Sequence, residues 1–331
     1  MSSALPESHA ERARILASRA FRRLSGKTQV IHAPQNDHVA TRLTHTLEVA
    51  GVARDLSRAL DPSLAILDHA LVESIALAHD VGHPPFGHAG EAVLSRLAAD
   101  AGIGGFHHAS FGVRLLSILE RDAAGAPVVQ SPAILEGIVA HSKGKAGSVF
   151  VSSLSRDAKL GSRQGDNIGL RRRSTEALLV RAADLYAYAS GDLDDAYRLG
   201  VFSPVDLPVE ARRVLGNDGA SVRRALIERT ARATLDEPDR GIHLDDEADR
   251  ALATLRAFLY ERFYEGPITA AQTRLAEDVL SRAWRRLLAN LGAALEALGW
   301  QRLGASPPTP RDALDALACM TDRFAIAFAA A

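Results

Sequence analysis

The chain has 331 residues, of which 47% are hydrophobic and 24% charged, enough apolar material for one large domain or two smaller ones and too much for a disordered chain. Its 39 basic and 40 acidic side chains leave a formal net charge of -1, so no overall field draws it to nucleic acid or to an anionic membrane. The single cysteine, Cys319, excludes a disulfide framework and a multi-cysteine zinc site, leaving histidine and carboxylate as the available metal ligands.

Near the N-terminus, Glu7 and Glu11 stand where a signal peptide wants a basic and then an apolar stretch, and no run of about 18 apolar residues occurs. The expectation is a soluble, cytoplasmic protein with no membrane partner. Alanine, leucine and arginine dominate, and apolar residues recur every three to four positions from end to end, which predicts an all-α chain. The first helix is expected from about Thr41 to Leu60, with His45, Val49, Val52 and Leu56 on one face. Asp61 followed by Pro62 reads as the start of a second, running through DPSLAILDHALVESIALAHD. Gly82, Pro84, Pro85 and Gly87 break it, so HDVGHPPFGH is a helix end turning into a rigid loop.

Further helices are expected over Glu91 to Ala99, Phe111 to Glu120 and Pro132 to Ser142. Residues 142–173 are rich in glycine and serine, with eight basic residues against two acidic ones, and read as a basic loop. A helix resumes near Ser174, passes Asp184 and is expected to reach Gly191. Others follow over Asp246 to Tyr264, Thr269 to Leu298 and Pro310 to Ala329, the last opened by Thr309 and Pro310. The expected organisation is a catalytic core over residues 1–200, including the basic loop, with a C-terminal helical region over 201–331 packed on it.

Seven of the twelve histidines fall between His45 and His108. The pair His79 and Asp80 ends an apolar helix, and Asp184 is the one acid on the inner stretch of LLVRAADLYAYA. A carboxylate in an apolar setting is costly unless something compensates it, and a divalent cation does so. Histidine with carboxylate suits manganese, magnesium, iron, nickel, cobalt or zinc without choosing among them. Tyr188 and Asp192 lie four and eight residues after Asp184, on the same helical face if the helix persists. His9, His32, His38, His69 and His243 read as structural or exposed, and His141 as a capping histidine at a helix C-terminus.

RRLSGKTQV at 22–30, TRLTHTLEVA at 41–50, ALAHDVGHPPFGHAGE at 76–91, ADLYAYASGDLDD at 183–195 and MTDRF at 320–324 together resemble the motifs of the bacterial deoxyguanosine triphosphate triphosphohydrolases of the HD superfamily. The resemblance spans nearly the whole chain. It implies an HD-domain helical bundle with additional C-terminal helices, one divalent metal ion on His45, His79, Asp80 and Asp184, and hydrolysis of a deoxynucleoside triphosphate to deoxynucleoside and inorganic triphosphate. It further implies His88 as the catalytic histidine with Glu91 orienting it, and His83 and His108 as active-site histidines near the phosphates. Arg42 is similar to an arginine that grips the α-phosphate, Gln29 and Asp192 to residues on the sugar 3′-hydroxyl, and Tyr188 to a tyrosine under the ribose. Such proteins assemble, so a homo-oligomer is expected; nucleic acid is a conceivable partner that no charge pattern indicates. Where the family commonly carries amides after Phe-x-His, this chain has Ala109 and Phe111, which changes the base contacts and leaves the metal ligands untouched. The rival readings are another HD phosphohydrolase, a nucleotidase or a phosphodiesterase, and a nucleotide-sensing module with little turnover.

Overall fold

The structure, a computed structural model, describes residues 7–32, 36–60, 67–142, 174–299 and 307–331. Among these residues there are fifteen α-helices and no β-strand, only isolated bridges between Thr28 and Thr41 and between Arg121 and Pro127. The fold is all-α, as the periodicity predicts. No described helix is long and apolar enough to cross a membrane. The basic stretch at 143–173 and the Asp61-Pro62 start lie outside the described residues.

Several helices differ from expectation, each for a local reason. Helix Arg42–Leu60 is where the pattern puts it, and Val49, Val52 and Leu56 are buried with His45. The next described helix is His69–Ala78, entered through Asp68, whose Oδ1 accepts from Ala70 N at 2.9 Å and Leu71 N at 3.0 Å. Helix Gly87–Asp100 starts four residues earlier than expected and so takes in His88. Helix Thr175–Arg198 runs straight through Gly191, where a Cβ would lie 3.0 Å from Glu48 Oε2. The glycine there admits a close neighbour and does not end the helix. The expected helix at 269–298 is Pro267–Ala289 and Leu291–Ala297, parted at Asn290, and the expected 310–329 helix is Pro310–Ala318 and Asp322–Ala330. Helices Glu7–Ala17, Arg19–Arg23, Val209–Leu215 and Gly219–Asp236 were not anticipated.

The chain divides into two compact units, neither contiguous in sequence. One comprises Met1–Arg12, His45–Leu77 and Ser131–Glu265. In it Thr175–Arg198 is the central helix, packed by Pro132–His141 and by Gly219–Asp236, and the buried Tyr186 hydroxyl meets Thr230 Oγ1 at 2.6 Å. Helix Asp246–Leu259 ends in a wide π turn, Glu265 N bonding Tyr260 O at 3.0 Å, which carries Tyr264. His141, the last residue of its helix, has Nδ1 2.5 Å from the Ile138 carbonyl, the capping role its position suggests.

The other unit comprises Ala13–Thr44, Ala78–Gln130 and Gly266–Ala331. Its spine is Pro267–Ala289, which packs against Gly87–Asp100 and against both C-terminal helices. Arg114 donates from Nε and Nη2 to Asp315 Oδ2 at 2.9 and 2.7 Å, and Arg311 Nε donates to Oδ1 at 3.1 Å, so both oxygens of a carboxylate 1% exposed are taken up.

Candidate active site

The second unit resumes at Ala78, the last residue of the apolar His69–Ala78 helix; His79 and Asp80 follow at once, and the proline pair then fixes the loop to Phe86. Phe86 takes φ +62°, the one positive φ outside glycine among the described residues, and Gly87 follows at φ +57°. A Cβ on Gly87 would meet Arg42 Nη2 at 2.8 Å, so both its conformation and its neighbour call for glycine. The helix beginning there places His88 in its first turn and Glu91 one turn on, the i, i+3 geometry that lets side chains touch.

Glu91 is the hub. Its Oε2 lies 3.0 Å from His88 Nδ1, and its Oε1 accepts the His108 backbone N–H at 2.8 Å and meets His108 Nδ1 at 2.8 Å. Burial would raise this carboxyl, but the hydrogen bonds from His108 and His88 hold it far below the usual carboxylate range. Both rings are anchored through Nδ1 on the one carboxylate, which fixes their orientation. His83 stacks on His108, ring centroids 3.9 Å apart, and its Nδ1 has no hydrogen bond among the described residues. His83, His88, Glu91 and His108 offer ligand atoms within 4.8 Å of one another, a group able to hold a metal ion or to surround an anion.

One layer deeper is the Asp80 carboxylate. Arg42 Nη1 donates to its Oδ2 at 2.5 Å, while its Oδ1 lies 3.2 Å from His83 Nε2 and 3.6 Å from His79 Nε2. Burial would raise Asp80, but His83, His79 and Arg42 together hold it well below the usual range. Burial lowers His83, and the Arg42 charge and His108 lower it further, so its imidazole is neutral. Arg42 is 1% exposed and its Nη2 also donates to the Gln29 carbonyl at 3.2 Å. Arg42 Nε and Gln29 Oε1 are buried without hydrogen bonds. A buried donor and a buried acceptor left open in this way cost free energy that a polar ligand would recover.

In the first unit, His45 Nε2 and Asp184 Oδ1 point at one another at 3.2 Å, with side chains 4% and 13% exposed. Tyr188, one turn beyond Asp184, sets its ring edge-on to His45 at 6.5 Å and stacks on Tyr264 at 5.4 Å. The Tyr264 hydroxyl donates to Asp192 Oδ2. Burial pushes the Asp192 carboxyl up to about 7, although the Tyr264 hydrogen bond and His45 draw it down. Tyr264 itself is raised, by burial first and by Asp192 next.

The predicted residues thus gather as follows: Glu91 with His88, His108 and His83; Asp80 with Arg42, His79 and the Gln29 backbone; His45 with Asp184, Tyr188 and Asp192. His45 and Asp184 belong to one unit, His79 and Asp80 to the other. Tyr264 was not foreseen. Within a stretch read as an amphipathic helix it resembled any core aromatic, and the only signal was the crowding of aromatics in YERFY.

Residues 42–189 match the HD domain and residues 242–331 the phosphohydrolase-associated domain. HD domains bind divalent metal through histidine and aspartate, in keeping with the donor chemistry here. A deoxyguanosinetriphosphate triphosphohydrolase-like protein of Desulfatibacillum aliphaticivorans is 36% identical over 321 residues, covering 96% of this chain and 84% of that one. Proteins of the same description from Caldanaerobacter subterraneus and Clostridium perfringens are 34% and 33% identical, covering 96% and 95% of this chain and 81% and 83% of theirs. With about a third of its residues shared along nearly its whole length, and an HD domain followed by its associated domain, the chain belongs to the deoxyguanosinetriphosphate triphosphohydrolase-like family of HD phosphohydrolases.

Proposed function

We propose that this HD phosphohydrolase cleaves deoxynucleoside triphosphates to deoxynucleoside and inorganic triphosphate, with one divalent metal held by His45, His79, Asp80 and Asp184. The observation that carries the reading is Glu91 with an imidazole on each carboxylate oxygen. Cleavage at the α-phosphorus releases a 5′ alkoxide that needs a proton, and an imidazole anchored through Nδ1 to a carboxylate delivers one from Nε2. Support for the metal comes from the His45 and Asp184 ligand atoms, which face one another 3.2 Å apart, and from an Asp80 carboxylate kept ionised in a buried setting. When bound, the metal supplies charge neutralisation at the phosphate and activates the attacking water.

The chain's own residues do the rest. His88 holds the transferable proton, and Glu91 fixes the orientation of its ring through Nδ1. His83, neutral, and His108 flank the phosphates as hydrogen-bond partners. Arg42 offers its guanidinium to the α-phosphate through the edge that Asp80 leaves open. Gln29 and Asp192 take the sugar 3′-hydroxyl, and Tyr188, braced by Tyr264, packs under the ribose where a 2′-hydroxyl would be crowded. Ala109 and Phe111, both buried, give the base an apolar rather than an amide-lined surround. The working form is a homo-oligomer in the cytoplasm, which light scattering on the purified protein and localisation of the tagged protein in cells test.

Incubation with each of the four deoxynucleoside triphosphates and GTP, with manganese or magnesium, followed by identification of both products, decides the reading. Deoxynucleoside plus inorganic triphosphate is the expected result. Orthophosphate or a nucleoside monophosphate would sink it in favour of another HD phosphohydrolase.

A further inference from the structure

The MTDRF segment begins the last helix, Asp322–Ala330, and the Asp322 carboxylate does not serve that helix. Thr321 is its N-cap, with Oγ1 accepting from Phe324 N at 3.3 Å. Asp322 is 3% exposed and is spent elsewhere: Oδ2 accepts from Thr28 N at 2.9 Å and from the Thr28 hydroxyl, and Oδ1 accepts from Phe86 N at 2.9 Å. His32 Nδ1 lies 3.2 Å from Oδ2, and its ring meets Phe86 edge to face at 5.6 Å. Nearby, buried Lys27 donates from Nζ to the carbonyls of His83 and, at 2.9 Å, of Ala318, tying the HPPF loop to the end of the preceding C-terminal helix.

Phe86 is the residue at φ +62°, a conformation that is unfavourable for a non-glycine residue and persists only where its surroundings impose it. Its N–H is the group Asp322 holds. The helix that carries His88 and Glu91 starts at the very next residue, so the turn at Phe86 sets the direction in which both side chains leave.

We propose that Asp322 is a positioning residue: by holding the Phe86 N–H and Thr28, it locks the left-handed turn that aims His88 and Glu91, and so couples the phosphohydrolase-associated segment to the proton-transfer pair. The inference rests on the proposed function for its kinetic consequence, but not for its structural one. Asp322→Ala and Asp322→Asn are compared with wild type in the full-length, metal-loaded enzyme for kcat and KM, and separately by NMR of the protein labelled at its histidine rings. In the alanine variant kcat is expected to fall about 10²-fold, the scale of a misplacement near 1 Å, with KM much less affected. Asparagine, which keeps one carbonyl oxygen for Phe86 N–H, should recover part of that loss. The His88 and His108 ring signals should shift or broaden, while those of His243, which bonds the Gly241 carbonyl, stay put. Wild-type kcat in both variants below their melting temperatures, or unmoved His88 and His108 signals, would overturn the proposal. Should the alanine variant not fold, the near-isosteric asparagine variant decides alone. If wild type releases no triphosphate, it is the functional reading that fails, and the ring signals still decide the role of Asp322.

Discussion

Two carboxylates, Glu91 and Asp192, are buried by the same fold and pushed in opposite directions. Glu91 is met by two imidazoles and stays ionised, whereas Asp192 is met by a phenol and is pushed up to about 7 by burial. Replacing Glu91 with glutamine removes the carboxylate on which His88 and His108 are both anchored. The proton-transferring ring then loses its fixed orientation, and kcat should fall by about 10²–10⁴-fold with KM much less affected. Steady-state kinetics on Glu91→Gln checks both. For Asp192 the consequence is one of stability. Its folded-state pKa lies above the unfolded value, so the folded protein binds more protons and stability declines as pH rises from the ordinary aspartate range through about 7. Asp192→Asn should therefore melt higher than wild type at pH 8 and no higher at pH 4, while KM for a deoxynucleotide worsens. Of these residues, the His88 to Glu91 spacing was legible because three residues on a helix is a contact rule. The Glu91 to His108 and Asp192 to Tyr264 contacts join residues 17 and 72 apart, and no periodicity encodes such pairings.

The helices explain why those contacts form. Apolar repeats located most of them, but the repeats run unbroken through Cys319 to Thr321, and only the Thr321-Asp322 pair marks the start of a new helix there. Gly191 misled in the opposite sense, because a glycine chosen for close approach to Glu48 looks in sequence like a glycine chosen to end a helix. Helix Gly87–Asp100 gives the sharpest test at this scale. Its first residue sits at φ +57° with Arg42 Nη2 in the space a methyl group would take. Gly87→Ala should destabilise the protein by about 1–2 kcal/mol from backbone strain alone. It should also displace the guanidinium from Asp80, so that a urea melt shows the modest loss while kcat/KM shows a much larger one. Loss of stability without loss of activity would mean that Arg42 does not act on the substrate. Asp315→Ala probes the other end of the same unit. It strips Arg114 and Arg311 of their shared partner; both arginines are partly exposed and water takes over part of the interaction, so the loss in a denaturant melt should be about 1–3 kcal/mol.

At the scale of the whole molecule, the chain passes repeatedly between its two units, and the proposed metal ligands stand at positions 45, 79, 80 and 184. An ion held by all four cross-links segments far apart in sequence, and ligands so dispersed are absent as a set from the unfolded chain. Binding to the folded state alone then stabilises it by RT ln(1 + [M]/Kd), about 4 kcal/mol at a free metal concentration a thousandfold above Kd. Stripping the protein with a chelator should lower Tm and abolish turnover together, and titrating manganese back should restore both along one curve. Asp184→Asn, which removes a charge from the ligand set and leaves the helix intact, should shift that curve to higher metal concentration for melting and activity alike. The His88→Ala variant separates the two effects, since it should keep the metal-dependent rise in Tm and lose only catalysis. If instead that variant lost the rise while Asp184→Asn kept it, the ion would sit on the His83, His88, Glu91 and His108 group, and the proton-transfer role of His88 would fall with the quartet.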